Sequence, residues 1–255
     1  MASADFIGIG VGPANLSLAA LAVESGSIEP LFLERRSRVE WHRQDLLPQS
    51  VVQTPFLKDL VSLARPTSAY SFTAFLVDSG RIHRFLARRD ASVSRREYEQ
   101  YFQWVANQLP TLNFSTPVEG VSYAADRGFA VSAGGRRFTT TTLVVATGRR
   151  PRIPSCIRGE MGTTLLHSHA YSLHRPEVEG CRVLVVGGGQ SAGEIVAHLL
   201  SGQVGRPREV VWASRRHGLI PTDQSPFANE WFNPGYVEYF HGLDHSRKAE
   251  LLAVQ

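Results

Sequence analysis

Asp5-Phe6-Ile7-Gly8-Ile9-Gly10-Val11-Gly12-Pro13-Ala14-Asn15-Leu16 is the stretch whose reading decides the fold. Phe6 to Gly10 has the character of a short buried strand that ends in glycine, and an alanine- and leucine-rich helix pattern, Leu16 to Val23, comes directly after it. Leu31-Phe32-Leu33 is the next strand. Strand, glycine turn, helix and strand form a βαβ unit, which entails a right-handed crossover and a parallel sheet. The backbone N–H groups of the turn and the positive end of the helix make a cradle for a pyrophosphate. Gly10 provides the tight turn and Gly12 lets a phosphate approach, with Pro13 behind it; Asn15 stands where the usual pattern has its third glycine. Glu34, at the end of the second strand and 24 residues after Gly10, can accept hydrogen bonds from an adenosine ribose. The competing reading is a glycine-rich strand end with an incidental glutamate. Strand, helix and acid together favour the nucleotide.

The unit occurs again further along. Arg182 to Val186 reads as a strand, Gly187-Gly188-Gly189-Gln190-Ser191 as a turn, Ala192 to Leu200 as a helix and Glu209 to Ala213 as a second strand. That second strand ends in Ser214-Arg215-Arg216 instead of an acid. Two guanidiniums there favour the extra phosphate of NADP over the bare ribose of NAD; the competing reading is a surface arginine pair after a strand, in a chain where arginine is abundant. One acidic and one basic cradle in a single chain point to FAD plus NADPH.

Between the units, residues 35–65 form a loop-rich excursion punctuated by prolines, the kind of segment that carries function. Ser94 and Glu97 make a capping-box signature for a helix to about Leu109, and Asn113 to Ala146 turns to a period of two, an antiparallel meander. A buried strand, Leu143 to Ala146, ends at Thr147-Gly148, and Pro151 and Pro154 make the next segment a stiff connector. The expected division is therefore an FAD-binding domain over 1–148, with loop 41–72 and meander 113–146, and an NADPH-binding domain over 149–255. The expected fold class is α/β, with two Rossmann-like dinucleotide-binding domains and an antiparallel β-meander.

Composition narrows the alternatives. With 255 residues, 43% hydrophobic and 20% charged, the chain has ample material for a packed core, which excludes collagen-like and wholly disordered readings. Cys156 and Cys181 are too few and too isolated for a disulfide framework, a thiolate metal site or a redox pair, so a reducing, cytoplasmic setting is expected. No signal-peptide pattern or membrane span is apparent. The 27 basic residues are dispersed and partly balanced by 23 acidic ones, which argues against nucleic acid as partner. His167 and His169 lack further ligands at a recognisable spacing, so no metal is expected.

The sequence resembles the flavin-dependent lysine/ornithine N-monooxygenases of siderophore biosynthesis. Beside the first glycine stretch, the resemblance rests on Trp41-His42, Phe56-Leu57-Lys58-Asp59-Leu60, Pro66-Thr67-Ser68 with Tyr70-Ser71-Phe72, Gly187 to Ser191, and Ser225-Pro226-Phe227-Ala228-Asn229-Glu230. The F-L-K-D-L and S-P-F-x-N-E strings are specific; the glycine motifs alone are not. The resemblance implies that Glu34, Arg35, Trp41, His42 and Gln53 line FAD, with Val118 at its adenosine end. It implies that Gly188, Gly189, Gln190 and Ser191 hold NADPH, with Arg215 on the 2′-phosphate. Lys58 would bind the substrate carboxylate, while Asn229, Glu230, Trp231 and Phe232 would face the substrate. Only two of the 27 basic residues are lysine, so a compact ammonium at position 58 is a choice this chain seldom makes. On residue type alone, Lys58 also fits a solvated loop, Asn229 a helix cap, and Trp231 and Phe232 a core.

The implied activity is N-hydroxylation of the side-chain amine of L-lysine by O2 through a C4a-hydroperoxyflavin, with no acid–base residue assigned. L-ornithine and the diamines putrescine and cadaverine are the rival substrates. Chains of the family continue beyond the point matched by Gln255, so the NADPH-binding domain is expected to be incomplete at the C-terminus. An inactive, truncated flavoprotein fragment is then the alternative to an enzyme. Family members are often homo-oligomers, although no interface can be read from this sequence.

Overall fold

The computed structural model describes residues 2–41, 47, 50–88, 92–174, 176–215 and 230–253. Two compact units divide them: one comprises Met1–Val185 with Gly189–Trp212, the other Val186–Gly188 with Ala213–Gln255.

The first unit begins with β1 (Ala2–Ser3), β2 (Phe6–Ile9), α1 (Pro13–Ser25) and β3 (Pro30–Leu33). Pro13 enters at the first turn of α1, where its missing N–H costs nothing, and Gly26 ends the helix in the left-handed conformation at φ 64°. A short β4 (Val51–Val52) precedes α2 (Phe72–Asp78), α3 (Ile82–Ala87), β5 (Val93–Ser94) and α4 (Arg95–Ala106). Ser94 caps α4 by accepting the Glu97 N–H at 3.1 Å. Next come β6 (Leu112–Asn113), β7 (Val118–Ala124), β8 (Gly128–Ala133), β9 (Arg136–Thr140) and β10 (Thr142–Val145).

Of these strands, β4 and β5 pair antiparallel with each other, and the other eight form two four-stranded sheets. One is wholly parallel in the order β10-β2-β3-β6, with Leu143 opposite Ile7 and Ile7 opposite Leu31. The other is the antiparallel meander β9-β8-β7, to which β1 adds as a parallel edge on β9. Ile7 and Leu33 from the parallel sheet pack with Val131, Ala133 and Phe138 from the meander. On the other side of the parallel sheet, α1, α2 and α4 close a core around Leu16, Phe32, Phe72, Tyr101 and Phe102. Phe72 is its hub: its ring lies 5.4–5.8 Å from those of Phe75, Phe85, Tyr98 and Tyr101, the spacing at which aromatic pairs attract.

The chain then runs through a 3₁₀ turn and α5 (Tyr171–His174) into β11 (Arg182–Val186), α6 (Gln190–Leu200) and β12 (Glu209–Ala213). β11 and β12 are hydrogen-bonded neighbours. Val185, Ala192, Val196, Leu199 and Tyr171 form a second core there. The second unit contributes α7 (Pro234–Gly242), capped by Asn233, and α8 (His245–Ala253).

Candidate functional site

The first glycine turn lies at the C-terminal ends of β2 and β3, where open parallel sheets bind ligands. Gly10 has φ +86°, and a Cβ there would meet the Ala146 carbonyl oxygen at 2.6 Å, so only glycine fits. Gly12 caps α1 with no side chain, no acid occupies the first turn, and a Cβ on Gly12 would project into open space. The helix N-terminus is thus left bare for an anion. The Glu34 carboxylate reaches the same turn, accepting the Val11 N–H at 2.8 Å and the Arg36 N–H at 2.9 Å. Asn15 is 1% exposed and donates to the Gly10 carbonyl at 2.7 Å, while its own Oδ1 is buried with no hydrogen-bond partner. An amide side chain thus braces the turn from behind, which explains how Asn15 fills the third-glycine position. Gly8 belongs to the same packing, since a Cβ there would lie 2.4 Å from the Phe32 ring.

The Phe56 to Leu60 segment folds as a tight turn beside α1, held where the Ser17 hydroxyl donates to the Leu60 carbonyl. Asp59 organises it. Its carboxylate accepts the N–H groups of Val61 at 3.0 Å, Ser62 at 2.7 Å and Phe72 at 2.6 Å, and the Ser62 hydroxyl at 2.8 Å. Lys58 is half-buried, and its ammonium makes no ion pair among the described residues. Its backbone is pinned at both ends: its N–H donates to Pro55 and its carbonyl accepts the Tyr98 hydroxyl at 3.2 Å. Burial, and secondarily the Asp59 carboxylate, push the Tyr98 and Tyr101 phenols well above the ordinary value of 10, so both remain neutral donors. Glu24 at the end of α1 holds the loop beyond, accepting the Ser68 hydroxyl and the Ala69 N–H, each at 2.9 Å. A groove of about 740 Å³ runs along the outer side of this loop, past Leu57, Leu63, Thr67, Val77 and Trp104, but its walls include neither Lys58 nor the glycine turn.

At the second glycine stretch, α6 begins as α1 does, behind a glycine cap. Gly187 has φ +135°, and Gly189 caps α6 with no side chain, with open space where its Cβ would be. No acid occupies the first turn of α6.

A family model described as L-lysine 6-monooxygenase/L-ornithine 5-monooxygenase matches residues 2–255. The chain belongs to this family. L-lysine N6-monooxygenase of Escherichia coli is 37% identical over 99% of this chain and 60% of its own. The FAD-bound cadaverine monooxygenase of desferrioxamine biosynthesis from Erwinia amylovora superimposes with a TM-score of 0.93 at 33% identity, over 100% of this chain and 61% of that one. The ornithine N-hydroxylase of Kutzneria sp. 744, solved with reduced FAD, NADP+ and L-ornithine, gives a TM-score of 0.88 at 33% identity, over 97% and 62%. The chain therefore spans about three fifths of the length of these family members.

Of the residues expected to serve this family's cofactors, Gly10, Gly12, Pro13, Asn15 and Glu34 come together at one turn. Arg35 and Gln53 are exposed. Trp41 packs on Tyr98 and Phe102, with ring centroids 5.7 and 5.1 Å away, and Val118 packs between the two sheets. Gln190 lies on α6 with its amide 2.7 Å from Glu194, and Ser191 beside it is exposed. In the second unit Gly188 is half-buried and Arg215 exposed. Glu230 accepts from the Asn233 amide, while Trp231 and Phe232, 44% and 72% exposed, are not core residues. His42 and Asn229 lie outside the described residues. Among the described residues no group of three His, Cys, Asp or Glu side chains is placed to hold a metal, and no helix is long and apolar enough to cross a membrane. The His167 ring accepts the His169 N–H at 3.1 Å and so serves its own turn.

Sequence reading missed Asp59, Glu24 and Glu194. The signal for Asp59 was present as an acid two and three residues ahead of N–H groups it could collect, an Asx-type turn. Glu24 binds partners distant in sequence, as Glu194 does through Ser50 and Arg95, which no local pattern announces.

Proposed function

We propose that the chain carries the FAD and NADPH sites of an amine N-monooxygenase whose substrate is L-lysine, serving hydroxamate siderophore biosynthesis. In this reading the α/β fold comprises two Rossmann-like dinucleotide-binding parts. The FAD pyrophosphate rests on the backbone of Gly10 to Gly12 and the N-terminus of α1, and Glu34 takes the adenosine ribose. Arg35, Trp41, His42, Gln53 and Val118 complete that side. Gly188 to Ser191 hold NADPH, and Arg215 is the candidate for its 2′-phosphate. Both glycine turns fit such groups, because a side chain at Gly12 or Gly189 would fill the space a phosphate needs. Reduced flavin with O2 supplies the oxygen atom; the protein positions and shields.

The substrate amine must be neutral to act as a nucleophile. A water-poor pocket lowers its pKa, while Lys58 fixes the far end of the molecule. Glu230, Trp231 and Phe232, with Asn229, are assigned to the substrate side. The observation that carries amino acid over diamine is Lys58: a half-buried ammonium with no acidic partner among the described residues. A substrate carboxylate satisfies it, and a second ammonium would be repelled. Cadaverine is lysine without its carboxylate and so isolates this contact.

Hydroxylamine formation with NADPH and FAD should be compared for lysine, ornithine, cadaverine and putrescine, using Lys58→Met as control. Lysine should be preferred, and Lys58→Met should raise its KM by about tenfold or more, as expected for a lost charge-assisted contact, while the KM for cadaverine falls as the repulsion between ammonium groups is removed. Preference for a diamine, or equal loss with both substrates, would contradict the assignment.

A further inference from the structure

Glu194 has no assigned role in binding FAD, NADPH or lysine, yet its carboxylate, the single one on α6, accepts three hydrogen bonds from side chains. It accepts from Gln190 Nε2 at 2.7 Å, Ser50 Oγ at 3.1 Å and Arg95 Nη2 at 3.1 Å. The Arg95 and Glu194 side chains are only 17% and 20% exposed, so solvent screens this pair far less than an ordinary surface pair. All four residues belong to the first compact unit.

The arrangement joins elements far apart in the chain. Arg95 opens α4, and its backbone N–H donates to the Ser50 carbonyl at 3.0 Å, beside the pairing of Val51 with Ser94. A cation in the first turn of a helix faces the positive end of the helix dipole and is unfavourable there on local grounds. The carboxylate of Glu194 compensates it. Gln190, in turn, is the first residue of α6 and sits at the glycine turn. Holding its amide NH2 on Glu194 leaves its carbonyl oxygen available to a ligand beside the start of the helix, where the Ala192 and Gly193 N–H groups already donate to the Gly189 carbonyl.

We propose that Glu194 is a positioning residue for the nicotinamide cofactor. Through Gln190 it sets the first turn of α6, and through Arg95 and Ser50 it ties that turn to the β4–β5–α4 segment. The proposal rests on the assignment of NADPH to this glycine turn. Arg95 also keeps the carboxylate neutralised, because an unpaired negative charge beside a phosphate-binding turn would repel the cofactor.

The test is a double-mutant cycle on the FAD-loaded full chain, with NADP+ affinity as one readout and hydrogen exchange of amides 190–194 as a second that needs no turnover. Glu194→Ala and Arg95→Ala should each weaken NADP+ by about tenfold and speed exchange in the first turn of α6, with FAD affinity unchanged. The double variant should be no worse than either single one, because the pair is already broken. Glu194→Gln keeps acceptors for Gln190 and Ser50 and should fall between wild type and Glu194→Ala. Additive losses, parallel loss of FAD affinity, or unchanged NADP+ affinity and exchange would overturn the proposal. A wild-type chain that binds FAD but not NADP+ would overturn the cofactor reading itself and the proposal with it, and the wild-type titration alone distinguishes that case.

Discussion

Asp59 shows how one side chain can hold a loop in place through its hydrogen bonds. Its two oxygens satisfy three backbone N–H groups and a hydroxyl, one of them the Phe72 N–H in the first turn of α2. Lys58 owes its position to this neighbour and to the Tyr98 hydroxyl on its carbonyl, a donor that burial keeps protonated. Asp59→Ala removes the acceptor and leaves the donors behind, which costs more than the bond itself was worth. The expected loss is about 2–3 kcal/mol of unfolding free energy, measured by urea denaturation. A loss below about 0.5 kcal/mol, the range of an ordinary surface substitution, would contradict this role. Asn15 works in the same manner at the first glycine turn, where its amide donates to the carbonyl of Gly10.

Helix α6 carries a second buried constraint near its C-terminus, where His198 Nδ1 lies 3.2 Å from the Tyr171 hydroxyl. Burial lowers the His198 pKa below its ordinary 6.5, so on acidification the unfolded chain takes up this proton before the folded one does. The contribution is fully present above pH 6.5 and is lost as pH falls through 6.5 toward the lower folded value. Wild type should therefore lose more Tm between about pH 7.5 and 5.5 than His198→Phe, which carries no such proton; equal slopes would contradict the linkage. At this scale the sequence was informative where a pattern is local. The helix read from the Ser94 and Glu97 signature is α4, which ends at Ala106 and has the Ser94 half of the box, while the Glu97 carboxylate pairs with Arg81 and Arg88; the alternation after Asn113 is realised as β7, β8 and β9. The first βαβ unit appears as β2, α1 and β3 in parallel register. Two things were not legible. The edge strand β1 exists only because β9 offers it hydrogen bonds, and α2 and α3 are short helices held by their burial against the Phe72 cluster.

For the whole molecule, the parallel sheet, its glycine turn and the acid on the neighbouring strand form one connected construction within the first compact unit. The turn and its acid were readable because both sit at fixed offsets from strand ends. The bracing amide, the Asp59 hub and the Glu194 cluster were not, because each depends on which distant segments the fold brings together. The central claim is that this construction holds FAD. It is tested most directly by titrating the purified chain with FAD and monitoring flavin absorbance and fluorescence, with Gly10→Ala as control. The account predicts saturable, equimolar binding with a perturbed flavin spectrum, and loss of that binding in Gly10→Ala, where a Cβ would strike the Ala146 carbonyl. A folded wild-type chain that leaves the flavin spectrum unchanged would contradict it.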